Sequence, residues 1–334
     1  MTFLTRKKYL LSLLMYSFIS TIGILISLKI GSENLNFIKI IKAIFSNVQG
    51  DDITIFYRQR LPRVIMAFIA GGTLGITGLS FQVVFRNSLA TPFTIGITSG
   101  GTLGAVLALS FGVLNFNIGP FSSVQVFSLV GSLLVIGLIY VLTIRKNEEK
   151  MNVILLTGVS IGIVISAVIL LVRYLLSPNL LIVVDRWMLG GLAIGGYKDF
   201  AGIFPFLIPG LALMFFQSVK MNYLFSGKDM ALSRGVDYDS VTKALLVGGS
   251  IATAAVVSVV GPIAFIGLIV PHILRRVSGT DTRILMPAVF FIGGAFLTVC
   301  DAIARVIIAP SELPVGVITA VLGGVYFLYL INSK

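Results

Sequence analysis

Apolar runs near twenty residues long recur along the whole chain, with few charges inside them. That is the length an α-helix needs to cross the hydrocarbon of a bilayer. Inside that hydrocarbon the backbone finds no water, so each run must close its own hydrogen bonds, as a helix does. The alternating ten-residue segments of an outer-membrane barrel are absent. Of the 334 residues, 57% are hydrophobic and only 11% charged; soluble domains carry about 25% charged residues. The expectation is an all-α polytopic membrane protein of about ten transmembrane helices, a single transmembrane domain over 1–334.

The spans fall at roughly 9–29, 64–85, 94–114, 124–144, 152–176, 200–219, 242–260, 261–276, 284–304 and 315–331. The first follows Arg6-Lys7-Lys8 in the manner of a signal peptide. Its apolar part is too long for one and ends in no small-residue cleavage site, so it is read as a retained helix. The run 241–275 is too long for one helix, and Gly261-Pro262 is its natural break, since proline ends or kinks a helix.

Net charge is +12. In a membrane chain such charge flanks spans and sets topology, so no nucleic-acid partner is inferred. Placing both termini in the cytoplasm puts most basic residues inside, with "RKNEEK" (145–150) and "HILRR" (272–276) the clearest inner clusters. The same topology leaves Arg58, Arg60 and Arg63 outside, against the rule. Pro62 is read as setting the start of the second span.

The chemistry of an enzyme is missing. "FSGKDM" (225–230) lacks the first glycine and the hydroxyl residue of a phosphate loop. One histidine, His272, and one cysteine, Cys300, cannot build a multi-ligand metal site. Asp301 and Arg305 lie four apart near the outer end of the ninth span, where a local ion pair is the plainer reading. An ion-coupled secondary transporter would instead require Asp301 to be a functional intramembrane carboxylate. The polar stretch 221–243 reads as one or two short amphipathic helices that bind a partner, with Met230, Leu232 and Val236 as apolar contacts and Gly227 and Gly235 as punctuation.

These residues carry a resemblance. "RLPR" (60–63), then Gly78, Gln82, Asn87 and Pro92, "GITSGGTLGA" (96–105), "GPIAFIGLIVPHILRRVSGTDTRILMP" (261–287) and "AIARVIIAPSELPVGVITAVLGGVYF" (302–327) occur in order. Together the chain resembles the iron-siderophore, haem and vitamin B12 permeases of ATP-binding cassette (ABC) importers, of FecCD type. It departs from the family's pattern at Ser88 and Val325, where proline is common. The resemblance implies the type II ABC importer permease fold in the bacterial plasma (inner) membrane, and no enzyme activity of this chain. It implies two ATPase subunits that hold ATP and Mg2+, so that this chain binds no cofactor or metal itself. It further implies a solute-binding protein outside and a second permease, a copy or a paralogue, with the path between the two. The cargo would be a metal chelate, a ferric siderophore first, with haem or cobalamin as alternatives. Arg60, Arg63 and Arg305 would dock the binding protein. The segment 221–241, through Gly227, Ala231 and Gly235, would couple to the ATPase. Lys150, Met151 and Asn152, in the loop before the fifth span, would form an inner gate, and the fifth and tenth spans would line the path.

Overall fold

The computed structural model describes residues 6–31, 50–111, 117–119, 121–143, 150–192, 196–225 and 227–332. The expected inner cluster at 145–150 lies outside them up to residue 149, as do both chain ends. In chain order the helices are α1 (Arg6–Lys29), α2 (Asp51–Val84), α3 (Ile97–Phe111), α4 (Ser123–Thr143), α5 (Lys150–Tyr174), α6 (Pro178–Met188) and α7 (Lys198–Phe216). They continue with α8 (Ser218–Leu224), α9 (Lys228–Ser233), α10 (Tyr238–Val260), α11 (Ile266–Ser278), α12 (Thr282–Val306) and α13 (Val315–Asn332). Seven of these, α1, α2, α4, α5, α7, α10 and α12, are long and apolar enough to cross a bilayer among the described residues. The shorter apolar helices α3 and α13 take the places of the third and tenth expected spans, and the thirteen-residue α11 takes that of the eighth. The β structure among the described residues is one hairpin, pairing Asn117 with Ser122 and Ile118 with Phe121.

Helix α2 occupies the middle. Nearly all its side chains from Val64 onward are buried, and α12, α10 and α11 pack around it. Its small residues explain the position. Lipid supplies no hydrophobic drive between helices, so close backbone approach has to hold them together. A Cβ on Gly293 of α12 would lie 2.7 Å from the Gly71 carbonyl oxygen, and one on Gly267 of α11 would lie 2.8 Å from the Leu74 carbonyl oxygen. Gly78 meets the Gly267 backbone closer still. The peripheral α1 and α5 leave most of their apolar side chains exposed, as does much of α13.

Four boundaries differ from expectation for physical reasons. Pro62 does not start the second span; the helix runs on from Asp51 through a wider π turn at Phe56–Arg60. A proline ring crowds the carbonyl four residues back, here Arg58, and widening the helix at that point relieves the contact. Helices α10 and α12 begin earlier because aspartates cap them. Asp237 accepts from the Asp239 and Ser240 N–H groups, and Asp281 from that of Arg283. The eighth span starts only at Ile266, after five non-helical residues. Gly261 and Phe265 bound that break with φ of 70° and 69°. The fourth difference is α6, an extra helix between the fifth and sixth spans whose eleven residues are too short to register as a span. From the turn after it, Gly191 N–H donates to the Val260 carbonyl at 2.9 Å and helps to shield the broken backbone.

Gly78→Val should therefore lower the melting temperature of the detergent-purified protein, with an overpacking cost of about 1–3 kcal/mol. Gly137→Ala, where a Cβ meets nothing within 4 Å, should leave it unchanged. Equal melting of both variants would remove the packing role of α2.

Candidate functional site at the two ends of the bundle

At one end α1 finishes and α2 begins. An α-helix leaves its last four carbonyls without partners in the helix. In α1 two of these receive arginines from other helices. Arg60 Nη1 donates to the Leu28 carbonyl at 3.1 Å. Arg305 Nη2 donates to the Ser27 carbonyl at 2.9 Å and to its Oγ at 3.0 Å. A cation is favoured at this helix end by the aligned peptide dipoles. Beside them Asp301, fully buried, accepts from Arg63 Nη2 at 2.8 Å and pairs with Arg305 Nε at 3.1 Å. Arg63 Nη1 reaches Glu312 at 2.7 Å.

The structure thus brings Arg60, Arg63 and Arg305 into one cleft of about 230 Å³ with Gly31, Ile55, Gln59 and Glu312. It also turns them inward: Arg60 is 5% and Arg305 4% exposed. Their charge holds helices together, a role that the sequence pattern alone does not separate from docking. Arg58 is the exposed arginine of this stretch, next to the exposed Gln59. Asp301 is an ion-pair partner of two guanidinium groups, which fits the local-pair reading and leaves its carboxylate fully engaged.

At the opposite end α8 and α9 form the two short helices expected between the sixth and seventh spans. Gly227 separates them at φ 110° and Gly235 follows at φ 72°, conformations that glycine adopts without steric cost. Of the three expected apolar contacts only Val236 is buried. Met230 and Leu232 are about half exposed and point outward, while Met221, Leu224 and Ala231 fill the inside. The reason is periodicity: α9 is a short helix with a single inner face, which Ala231 occupies. Ala231 therefore shapes the segment from within, and Gly235 faces open space.

The segment is tied to the bundle by polar contacts. Asn222 Nδ2 donates to Asp281 at 3.0 Å, and the Thr282 N–H donates to Asn222 Oδ1 at 2.8 Å. The Arg86 guanidinium lies 5.9 Å from the Tyr238 ring centre, and that of Arg275 lies 5.8 Å from the Phe225 ring centre. Lys150, Met151 and Asn152 are not in a loop; they open α5 as its first helical turn. Met151 lines a cleft with Tyr140, Asp239 and Lys243, and Asn152 is exposed. Arg60, Arg63 and Arg305 thus meet at one end, Gly227, Ala231 and Gly235 at the other, with the α5 turn near the latter.

The sequence profile of the FecCD transport family matches residues 19–333. The chain belongs to the FecCD transport family. Over 99% of its length this FecCD protein is 32% identical to the Uncharacterized ABC transporter permease protein YvrB of Bacillus subtilis (strain 168), covering 96% of that protein. It is 34% identical to the cobalamin import system permease protein BtuC of Halobacterium salinarum, over 82% of this chain and 72% of that one. It is 32% identical to the hemin transport system permease protein HmuU of Yersinia pestis, over 92% of each. A solved structure described as a metal-chelate type ABC transporter in an inward-facing conformation superposes with a TM-score of 0.83 at 24% identity, over 96% of this chain and 99% of that one. That likeness shows the fold, which is that of a type II ABC importer permease.

Two expectations follow for the FecCD chain. Asp301→Asn leaves the buried Arg305 guanidinium without a carboxylate and Arg63 with Glu312 alone, and breaking a buried pair costs about 3–5 kcal/mol; Glu312→Gln, at the partly exposed rim, should cost far less. Thermal melting of the two purified variants reads the difference. Asp281 gives a pH signature. The Arg283 guanidinium, more than the Asn222 amide, holds its carboxyl below the usual 3.8 despite partial burial. A carboxylate depressed in the fold stabilises above its unfolded pKa, and that gain is lost as pH falls through the folded value. Asp281→Asn should melt lower than the parent at neutral pH, and the two should converge as pH drops below about 4.

Proposed function

We propose that the chain is the transmembrane permease subunit of an ATP-driven importer that moves a metal chelate, a ferric siderophore in the first place, across the bacterial plasma membrane. The observation that carries this reading is the FecCD match along 19–333, with relatives named as permeases of hemin and cobalamin systems. Haem or cobalamin would be the cargo if the relatives' names transfer more closely than that.

In this reading the arginine end faces outward and the α8–α9 end faces the cytoplasm, with both termini inside. Two ATPase subunits, holding ATP and Mg2+, seat on the cytoplasmic end. Exposed apolar residues supply the contact, because Met230 and Leu232 stand out from a segment whose own core is complete without them. Gly227, Ala231 and Gly235 set its shape. A solute-binding protein docks at the outer cleft. Arg60, Arg63 and Arg305 form its floor, and the exposed Arg58 and Gln59 are the groups most easily reached. Acidic residues on that protein would gain orientation there more than raw affinity. A second permease, a copy or a paralogue, covers the apolar sides of α5 and α13 and closes the path between them, and the first turn of α5 at Lys150–Asn152 gates its inner end.

The function is tested by uptake of iron-labelled siderophore into proteoliposomes holding the permease, its ATPase and its binding protein. ATP-dependent accumulation is expected; accumulation of heme or cobalamin instead would reassign the cargo, and uptake without the ATPase would overturn the reading. Met230→Asp with Leu232→Asp should weaken retention of the ATPase on an affinity column roughly thirtyfold, the size of a 2 kcal/mol interface anchor. Unchanged retention would move the contact elsewhere.

A further inference from the structure

Helix α11 is unlike its neighbours. It has thirteen residues, about 20 Å at 1.5 Å per residue, against roughly 30 Å of hydrocarbon. It is detached from α10 by the five non-helical residues 261–265. The last of these, Phe265, takes a left-handed φ of 69°. That conformation costs a bulky residue energy, and such outliers persist where the surroundings enforce them.

Besides its packing on α12, three sets of contacts hold α11. At its start Gly267 lies backbone to backbone on Gly78 of α2. Toward its end Arg275 donates to Gln82 Oε1, while Gln82 Nε2 donates to the Gly267 carbonyl at 2.9 Å. The same Arg275 guanidinium stands 5.8 Å from the Phe225 ring centre, where α8 ends. On the side of α13, His272 Nδ1 and the Tyr326 hydroxyl share a hydrogen bond of 3.0 Å, their rings edge to face. The Phe265 ring fills the place of a side chain at Gly323 of α13. So α11 is keyed to the α8–α9 segment by one residue and to α13 by two, across a close contact with the central helix.

We infer that α11 is a lever: Gly78 and Gly267 form its fulcrum, Arg275 receives displacement of the α8–α9 segment at Phe225, and His272 with Phe265 passes it to α13. Coupling between distant sites needs an element whose position both sites bias. A short helix that no helical hydrogen bonds join to α10, only the non-helical residues 261–265, can tilt apart from it. Arg275, His272 and Tyr326 are positioning residues in this scheme. The inference rests on the proposed function, in which the α8–α9 segment meets the ATPase and α13 borders the path.

The test places an environment-sensitive fluorophore at Leu328→Cys on α13, in a Cys300→Ala background, in the permease assembled with its ATPase. The emission shift on adding a non-hydrolysable ATP analogue with Mg2+ is measured, alongside ATPase retention. His272→Leu and Tyr326→Phe are expected to lose most of the shift while ATPase retention stays at the parent level. His272→Gln, which can still bond the Tyr326 hydroxyl, should keep it. Arg275→Gln should lose it from the other arm. A parent-sized shift in both His272→Leu and Tyr326→Phe would overturn the lever. Failure of the unsubstituted permease to retain the ATPase would overturn the proposed function instead.

Discussion

Backbone contact at glycine is the constraint on which the rest of this structure depends. Gly71 on Gly293 and Gly78 on Gly267 seat α12 and α11 directly against α2. In a bilayer, where apolar side chains gain nothing by leaving lipid for one another, such van der Waals contact fixes which helices are neighbours. Once α2 is central, its two ends carry the polar chemistry. Its start delivers Arg60 to the end of α1 and Arg63 to Asp301 of α12, and its finish delivers Gln82 to α11 and, just beyond the last turn, Arg86 to the Tyr238 ring of α10.

The two ends use charge differently. At the arginine end, three guanidinium groups meet two carboxylates and the open carbonyls of α1, and most of these groups are removed from solvent. Loss of the buried Asp301 there leaves a buried charge, so the arrangement depends on that one carboxylate more than on Glu312 at the rim. At the other end the polar contacts are partly exposed and spread over short elements, which leaves the segment shaped but adjustable. A rigid end and an adjustable end on one central rod is an arrangement suited to a subunit that must hold one partner's register and respond to another.

Much of the fold was legible in the sequence. Twenty-residue apolar runs located the spans, and Gly261-Pro262 located the break. The glycine-rich stretches at 70–78 and 98–105 are a packing signal of their own, since small residues let helix backbones approach in lipid. Boundaries were less legible, because Asp237 and Asp281 extend their helices through capping bonds that an apolar window does not weigh. The direction of side chains was least legible. "RLPR" shows charge near a helix start but not that Arg60 turns back onto Leu28, since that depends on where α1 ends in space. Likewise hydropathy marks Met230, Leu232 and Val236 alike as apolar contacts, and only the seating of Ala231 turns the first two outward. Gln82 and His272 could have been singled out as isolated polar residues in apolar surroundings, though their partners, Arg275 and Tyr326, are distant in the chain.

Separation along the chain has a consequence for how the molecule is made. Arg63 and Asp301 are 238 residues apart, and Glu312 is 249 residues from Arg63. During synthesis α2 is complete long before either carboxylate exists. Until the ninth spanning helix is threaded, the start of α2 carries an arginine whose acceptors have not yet been translated. The arginine end is therefore set late, with only α13 to follow, and a chain cut short before residue 301 differs from a finished one by an uncompensated guanidinium at the membrane boundary.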